Sequence, residues 1–306
     1  MNKLISATRG WKRLQKEYRE QDILGARTQK LCAVLEEDLS GGSAEEAVIH
    51  YNALSFFSLD CGVAAYMQAA GTREQTAAWF SLASLARRTV CGLMKSSPRR
   101  AFGSPVRLQL DLITAAVLCG EIQAALETLE VTRLGLTGEN PPAEHGSRPR
   151  SRTDQRQEQE RRRRLALEID LYERVLQGED EKALLALRGL EERRSDSPEQ
   201  QVLCALLEGD GAAFRDALSG HMRAFRSTPD PEPLNWFVLL AEAVYQMLGG
   251  EVSLDLADAP SALLCLPACD LAEIGERLGL SMPEFDVDVL RSRIDWEKIG
   301  PKFKQY

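Results

Sequence analysis

The stretch Ser197-Pro-Glu-Gln-Gln-Val-Leu-Cys-Ala-Leu-Leu-Glu-Gly-Asp-Gly-Ala-Ala-Phe-Arg-Asp-Ala-Leu-Ser-Gly-His-Met-Arg-Ala-Phe-Arg226 reads as two helices joined by a tight turn. Ser197 suits a helix cap, Pro198 the first helical position, and Gln200 the return bond of a capping box. Val202, Leu203, Leu206 and Leu207 give the first helix one apolar face. Gly209 stops it and Asp210 can cap the next. Phe214, Ala217, Leu218, His221, Met222 and Phe225 then recur at three- and four-residue steps, the period of one helical face.

The same grammar recurs outward. Leu118-Cys-Gly120-Glu121 and Leu176-Gln-Gly178-Glu179 repeat the stop, acid and restart of Leu207-Glu-Gly209-Asp210. The glycines lie 58 and 31 residues apart. The second spacing suits a helical-hairpin repeat, and the first suits one enlarged by an insertion. Helices are expected over Lys3 to Arg19, Ile23 to Leu39, from a capping box at Ser43 and Glu46 to near Gly71, and over Thr72 to Lys95. Further ones are expected over Pro105 to Cys119, Ile122 to Leu136, Arg161 to Gln177, Glu181 to Arg194, Leu234 to Leu248 and Asp270 to Leu278, with a terminal turn at Asp295 to Phe303. The fold class is all-α: irregular stacked helical hairpins, TPR-like or solenoid-like, without strict tetratricopeptide signatures.

Composition agrees. Leu and Ala dominate, and aromatics are only 6% of 306 residues. The seven cysteines are odd in number and scattered, which suits reduced thiols used as small hydrophobes. No run approaches a membrane span, and Met1 to Leu14 has no signal-peptide core, so a cytoplasmic location is expected.

Gly138 to about Gln159 has prolines, Arg, Ser and Gln but almost no apolar residues. It reads as a mobile Arg-rich insertion, residues 138–160, between an N-terminal helical region, 1–137, and a C-terminal one, 161–306, packed as one elongated domain. Eight arginines lie between Gly138 and Arg164. Five acids are interspersed and no aromatic is present for base stacking, so a solvated helix start is the preferred reading over a nucleic-acid patch.

Catalytic patterns are absent from the sequence. There is no phosphate-binding glycine loop, dinucleotide fingerprint, nucleophile elbow or zinc-protease helix. Cys265 and Cys269 have no companion ligand pair. His221 lies on an apolar stripe, where a structural histidine is ordinary. No cofactor, no metal and no enzyme activity are expected.

Together with the residues after it as far as Leu264, the opening stretch resembles the immunity 49 family of bacterial polymorphic-toxin systems. The resemblance rests on Gln200, Leu203, Leu206, Leu207, Asp210, Phe214, Leu218 and Arg226, then Pro233, the helix Leu234 to Leu248, Gly249 and Gly250, the extended piece Val252 to Leu256, and Pro260, Leu263 and Leu264. It covers about Asp196 to Leu264 and departs from the family pattern at Glu251 and at Asp258-Ala259, where the family usually has other residue types. It implies a cytoplasmic binding protein that neutralises a cognate toxin domain by occluding its active site.

The net charge of −8 bears on such a partner. Glu251 to Leu290 holds nine acids and one base, Arg277, and so carries the whole excess. That surface repels nucleic acid and suits a basic protein, such as a toxin acting on nucleic acid or nucleotides. Glu251, Asp255, Asp258, Glu273 and Glu276 are the candidate contacts, chosen by charge. The same acids also read as a solvated face that aids solubility. Two other functions suit the fold: a helical-repeat scaffold or adaptor unrelated to toxins, and a helical hydrolase whose carboxylates converge only in space.

Overall fold

A computed structural model describes residues 44–67, 72–96, 108–137, 152–191, 198–225, 233–251, 261–264 and 266–293, with six residues before them. These form eleven α-helices and one short 3₁₀ turn, with no strand among the described residues. The helices are α1 (Ala44–Met67), α2 (Arg73–Ser96), α3 (Leu110–Leu118), α4 (Ile122–Thr137), α5 (Arg152–Gln177), α6 (Asp180–Glu191), α7 (Pro198–Leu207), α8 (Gly211–Phe225), α9 (Trp236–Met247), α10 (Leu271–Leu278) and α11 (Val287–Arg293); the 3₁₀ turn is Ser261–Leu263.

The three Gly-acid turns are built alike. Gly209 has φ +71°, and Gly120 and Gly178 have +76° and +69°, the left-handed region where a Cβ is penalised. At each turn two backbone bonds close the helix end. The Gly209 N–H donates to Leu206 O and the Asp210 N–H to Ala205 O, both at 3.2 Å. Asp210 then caps α8, its Oδ1 accepting from the N–H groups of Ala212 and Ala213 at 3.0 Å each. The apolar faces read from the sequence are buried: Val202, Leu203, Leu206 and Leu207 on α7, and Phe214, Leu218, His221 and Met222 on α8.

Consecutive helices pair as α1–α2, α3–α4, α5–α6 and α7–α8, and α2–α4, α4–α5 and α6–α7 join the pairs. The chain then returns: α9 packs on α3 and α7, while α10 and α11 pack on α2. One continuous apolar core runs from Ala47 to Leu290. Two glycines let the N-terminal hairpin and the returning tail approach closely. A Cβ on Gly62 of α1 would stand 2.5 Å from the Phe80 ring of α2, and one on Gly92 of α2 would stand 2.7 Å from Val287 of α11.

Several boundaries differ from the expected ones. Helix α5 begins at Arg152, inside the segment read as a mobile insertion. Arg, Gln and Glu are strong helix formers, so a solvated first half can grow from the packed half that starts at Leu165 without an apolar face of its own. Arg156, Arg161 and Arg163 there are exposed. Helix α3 starts at Leu110, not Pro105, and α9 starts at Trp236 because Asn235 caps it, accepting from the Val238 N–H at 3.1 Å. Helix α11 is not among the expected helices. The capping residues Ser43 and Ser197, the extended piece Val252 to Leu256, Pro260, Arg226 and the turn Asp295 to Phe303 lie outside the described residues, as do most of the first two expected helices.

Candidate interaction surface

The returning tail carries the acidic segment, and its local chemistry decides which acids stay available. Helix α10 opens with a full capping box. Asp270 accepts from the Glu273 N–H at 2.9 Å, and Glu273 Oε2 accepts from the Asp270 N–H at 3.0 Å. The other Glu273 oxygen takes a bond from Arg277 at 3.2 Å, one turn on. Arg277 also donates to Cys269 Sγ at 3.0 Å. Ile274 buries the inner face of α10, while Leu271 and Glu276 are exposed.

The next acids repeat this use. Glu284 accepts from the Asp286 N–H at 2.8 Å, and Asp286 accepts from the N–H groups of Asp288 and Val289 at 2.8 and 3.2 Å, capping α11. Asp288 pairs with Arg291 at 3.3 Å. The main chain between them is pinned to the N-terminal hairpin. Tyr51 donates to Glu284 O, Phe285 sets its ring edge-on to Tyr51 at 5.7 Å, and the Thr89 hydroxyl, which donates to Leu85 O at 3.0 Å, lies 3.4 Å from Phe285 O. Burial pushes the Tyr51 hydroxyl well above its usual range, so it stays a donor.

Of the five candidate contacts, three are described. Glu273 has both oxygens engaged within α10 and its cap, one by the Asp270 N–H and one by Arg277. Glu251 and Glu276 are exposed, and neither forms an ion pair among the described residues. Asp255 and Asp258 lie outside the described residues. The structure adds Glu74, at the exposed start of α2. Its carboxyl is held below the usual range by a backbone hydrogen bond, then by the Thr72 hydroxyl, with Arg277 of α10 contributing. This brings Glu74 to the same end of the molecule as Glu273. Charge counted along one segment could not find it, since it lies some 200 residues away in sequence. The Thr72 and Gln75 capping box at the head of α2, with reciprocal bonds of 3.1 and 3.3 Å, was the legible local signal.

His221 sits in the seam between α8 and α9. Its ring packs on Phe237 at 4.8 Å, and Nε2 lies 3.4 Å from the Asn235 side-chain amide. Nδ1 is 3.7 Å from Glu199 Oε1, beyond hydrogen-bond reach. Burial holds its pKa below 6.5, against the smaller upward pulls of Glu199 and Asn235. Cys119 and Cys269 both face Ser81; burial pushes the Cys119 thiol up to about 12 and also raises that of Cys269, keeping both protonated at neutral pH. Among the described residues no three His, Cys, Asp or Glu side chains gather as a metal site. No described helix is long and apolar enough to cross a membrane. No protein-family model, curated protein or solved structure matches the chain.

Proposed function

We propose that this chain is an immunity-type binding protein, an all-helical shield that neutralises a cognate bacterial toxin domain by covering its active site. The support from the sequence is the resemblance over Asp196 to Leu264. The observation that carries the surface assignment is the pair of exposed acids Glu251, just past the end of α9, and Glu276, on α10, neither in an ion pair among the described residues. Exposed acids of this kind suit a basic partner cleft: they speed encounter and set register more than they add affinity. A partner acting on anionic substrates such as nucleic acid or nucleotides would present such a cleft. On this reading the protein acts in the cytoplasm and makes no bonds of its own.

The hairpins α3–α4, α5–α6 and α7–α8 are read as an irregular repeat stack. A scaffold or adaptor unrelated to toxins would use the same row, and Leu185, 66% exposed on α6 in the middle of it, favours that second reading. Co-expression separates the two. The chain rescues cells from a toxin domain encoded beside its own gene if it is an immunity protein, and gives no protection if it is an adaptor. Affinity capture from the producing bacterium gives the toxin as the dominant partner in the first case only.

A further inference from the structure

A buried imidazole commits each of its two nitrogens to one role, and the groups around it decide which. For His221 the deciding neighbour is Asn235. Its Oδ1 accepts from the Val238 N–H at 3.1 Å, the capping bond of α9. That bond fixes the amide, because the opposite orientation would set two donors face to face. The Asn235 NH₂ group is therefore the end that meets His221 Nε2, at 3.4 Å, and it also reaches Met222 Sδ at 3.3 Å. Nε2 must then be an acceptor, so the proton of the neutral ring lies on Nδ1. Nδ1 is closed off from solvent without a hydrogen-bond partner, and Glu199 of α7 is the charged group beside it, at 3.7 Å. Asn235 and Phe237 face the ring from the α9 side and bring no charge. Tyr172 of α5 faces Glu199, and burial keeps its hydroxyl protonated. Arg223, on the same helix as His221, turns back to Ser219 O at 3.3 Å.

A second proton on this ring would go to Nε2 and point at the Asn235 NH₂ group, donor against donor. A buried cation denied an acceptor loses more than one helix cap supplies. The smaller change is a half-turn of the amide, which offers Oδ1 to the new Nε2–H and withdraws it from Val238. Glu199 attracts the Nδ1–H of the charged ring and so holds the ring in the seam while the amide turns. We infer that His221 and Asn235 form a pH-sensitive latch on α9: the neutral imidazole keeps its cap closed, and protonation opens its first turn. That turn is where α9 is tied to two other helices. Thr114 of α3 donates to Trp236 O at 3.1 Å, and the Trp236 ring lies 5.9 Å from that of Phe80 in α2. Loosening the cap therefore reaches the contacts of α9 with both.

The test is a pH titration of the full, ¹⁵N-labelled chain by NMR. At pH 7.5 the ring nitrogens of His221 should report the Nδ1–H tautomer. As the pH falls, hydrogen-exchange protection of the Val238 amide, corrected for the intrinsic rate, should drop about fivefold at the midpoint of the ring's own titration. Protection of Val244, nearly two turns further along α9, should not change there. Asn235→Asp keeps a capping oxygen and gives Nε2 an acceptor in place of a donor. It should turn the neutral ring to the Nε2–H tautomer and leave Val238 protected throughout. If that variant fails to fold, His221→Gln decides the matter, since a side chain that does not titrate should remove the step at Val238. An Nε2–H tautomer in the unmodified chain, equal losses at Val238 and Val244, or a step at Val238 that survives in either variant would each overturn the proposal.

Discussion

In the α7–α8 hairpin Asp210 stands inside a pattern of Leu and Phe and caps a helix. In the returning tail the acids crowd together, and the sequence reads them as one charged face. The structure gives most of the described ones the work that Asp210 does: Asp270 and Glu273 at α10, and Glu284 and Asp286 at α11. A local pattern announces its function through the residues around it. A run of charge does not, because each carboxylate is offered first to the backbone N–H groups within reach. Among the described acids of the tail, Glu251 and Glu276 make neither a cap bond nor an ion pair within the described residues.

The two regions differ most in how much core they hold. Phe214 of α8 is fully buried and stacks on Tyr245 of α9 at 4.6 Å. Ile274 of α10 is equally buried but belongs to a helix of eight residues. Phe214→Ala is expected to lower unfolding stability by about 3–5 kcal/mol and Ile274→Ala by about 2–5 kcal/mol. Urea unfolding followed by circular dichroism measures both. An Ile274→Ala loss well under 2 kcal/mol would mean that the tail opens separately from the rest of the core.

The turns give the next effect. Gly209 and Gly279 share the left-handed conformation, at φ +71° and +64°, and neither has an atom near its missing Cβ. Alanine at either therefore costs about 1–2 kcal/mol through backbone strain alone. The caps come next in size: Asp210→Ala and Asp270→Ala each cost about 1 kcal/mol. Equal losses at Asp210 and Asp270 in thermal unfolding would establish that the tail acids are structural. No loss at Asp270 would return it to the pool available to a partner.

What was legible in the sequence was periodic or punctuated. The apolar steps of Leu203, Leu206, Phe214 and Leu218 need only a 3.6-residue period, and the Gly-acid turns need only the steric demand of a positive φ. Helix α11 is seven residues long, too short for a period to declare itself. The start of α5 at Arg152 was hidden because a solvated helix and a polar loop have the same composition. The Asp270-x-x-Glu273 capping box is legible ahead of Ile274, but a count of charge does not distinguish capping acids from exposed ones. The approach of Glu74 to α10 depends on which helices meet, which no single stretch of the chain encodes.

The hairpin also differs from the tail in its response to acid. His221 remains neutral in the fold below 6.5, where the unfolded chain already takes up a proton. The unfolded state then binds more protons, so stability falls as pH drops from about 6.5 through the lowered folded-state value, and this contribution is fully present above 6.5. His221→Gln flattens that part of the profile. Unfolding midpoints of the two proteins from pH 7 to pH 5 measure the difference, and parallel profiles would show that His221 is reached by solvent.

The smallest effect on stability falls where the comparison is sharpest. Glu276 is on the same short helix as Glu273 but on its exposed side, with no ion pair among the described residues. Glu276→Lys should change unfolding stability by no more than about 0.5 kcal/mol. Glu273→Lys, one turn away, breaks the capping box and sets a like charge beside Arg277, so it should destabilise more. Against a basic toxin domain the order reverses. Glu276→Lys with Glu251→Lys should slow association and flatten its salt dependence, because exposed charges act through long-range steering. Association rates measured at two ionic strengths separate the roles. A Glu276 variant that binds at an unchanged rate would leave α10 as a brace for α2 and move the partner's footprint elsewhere on the molecule.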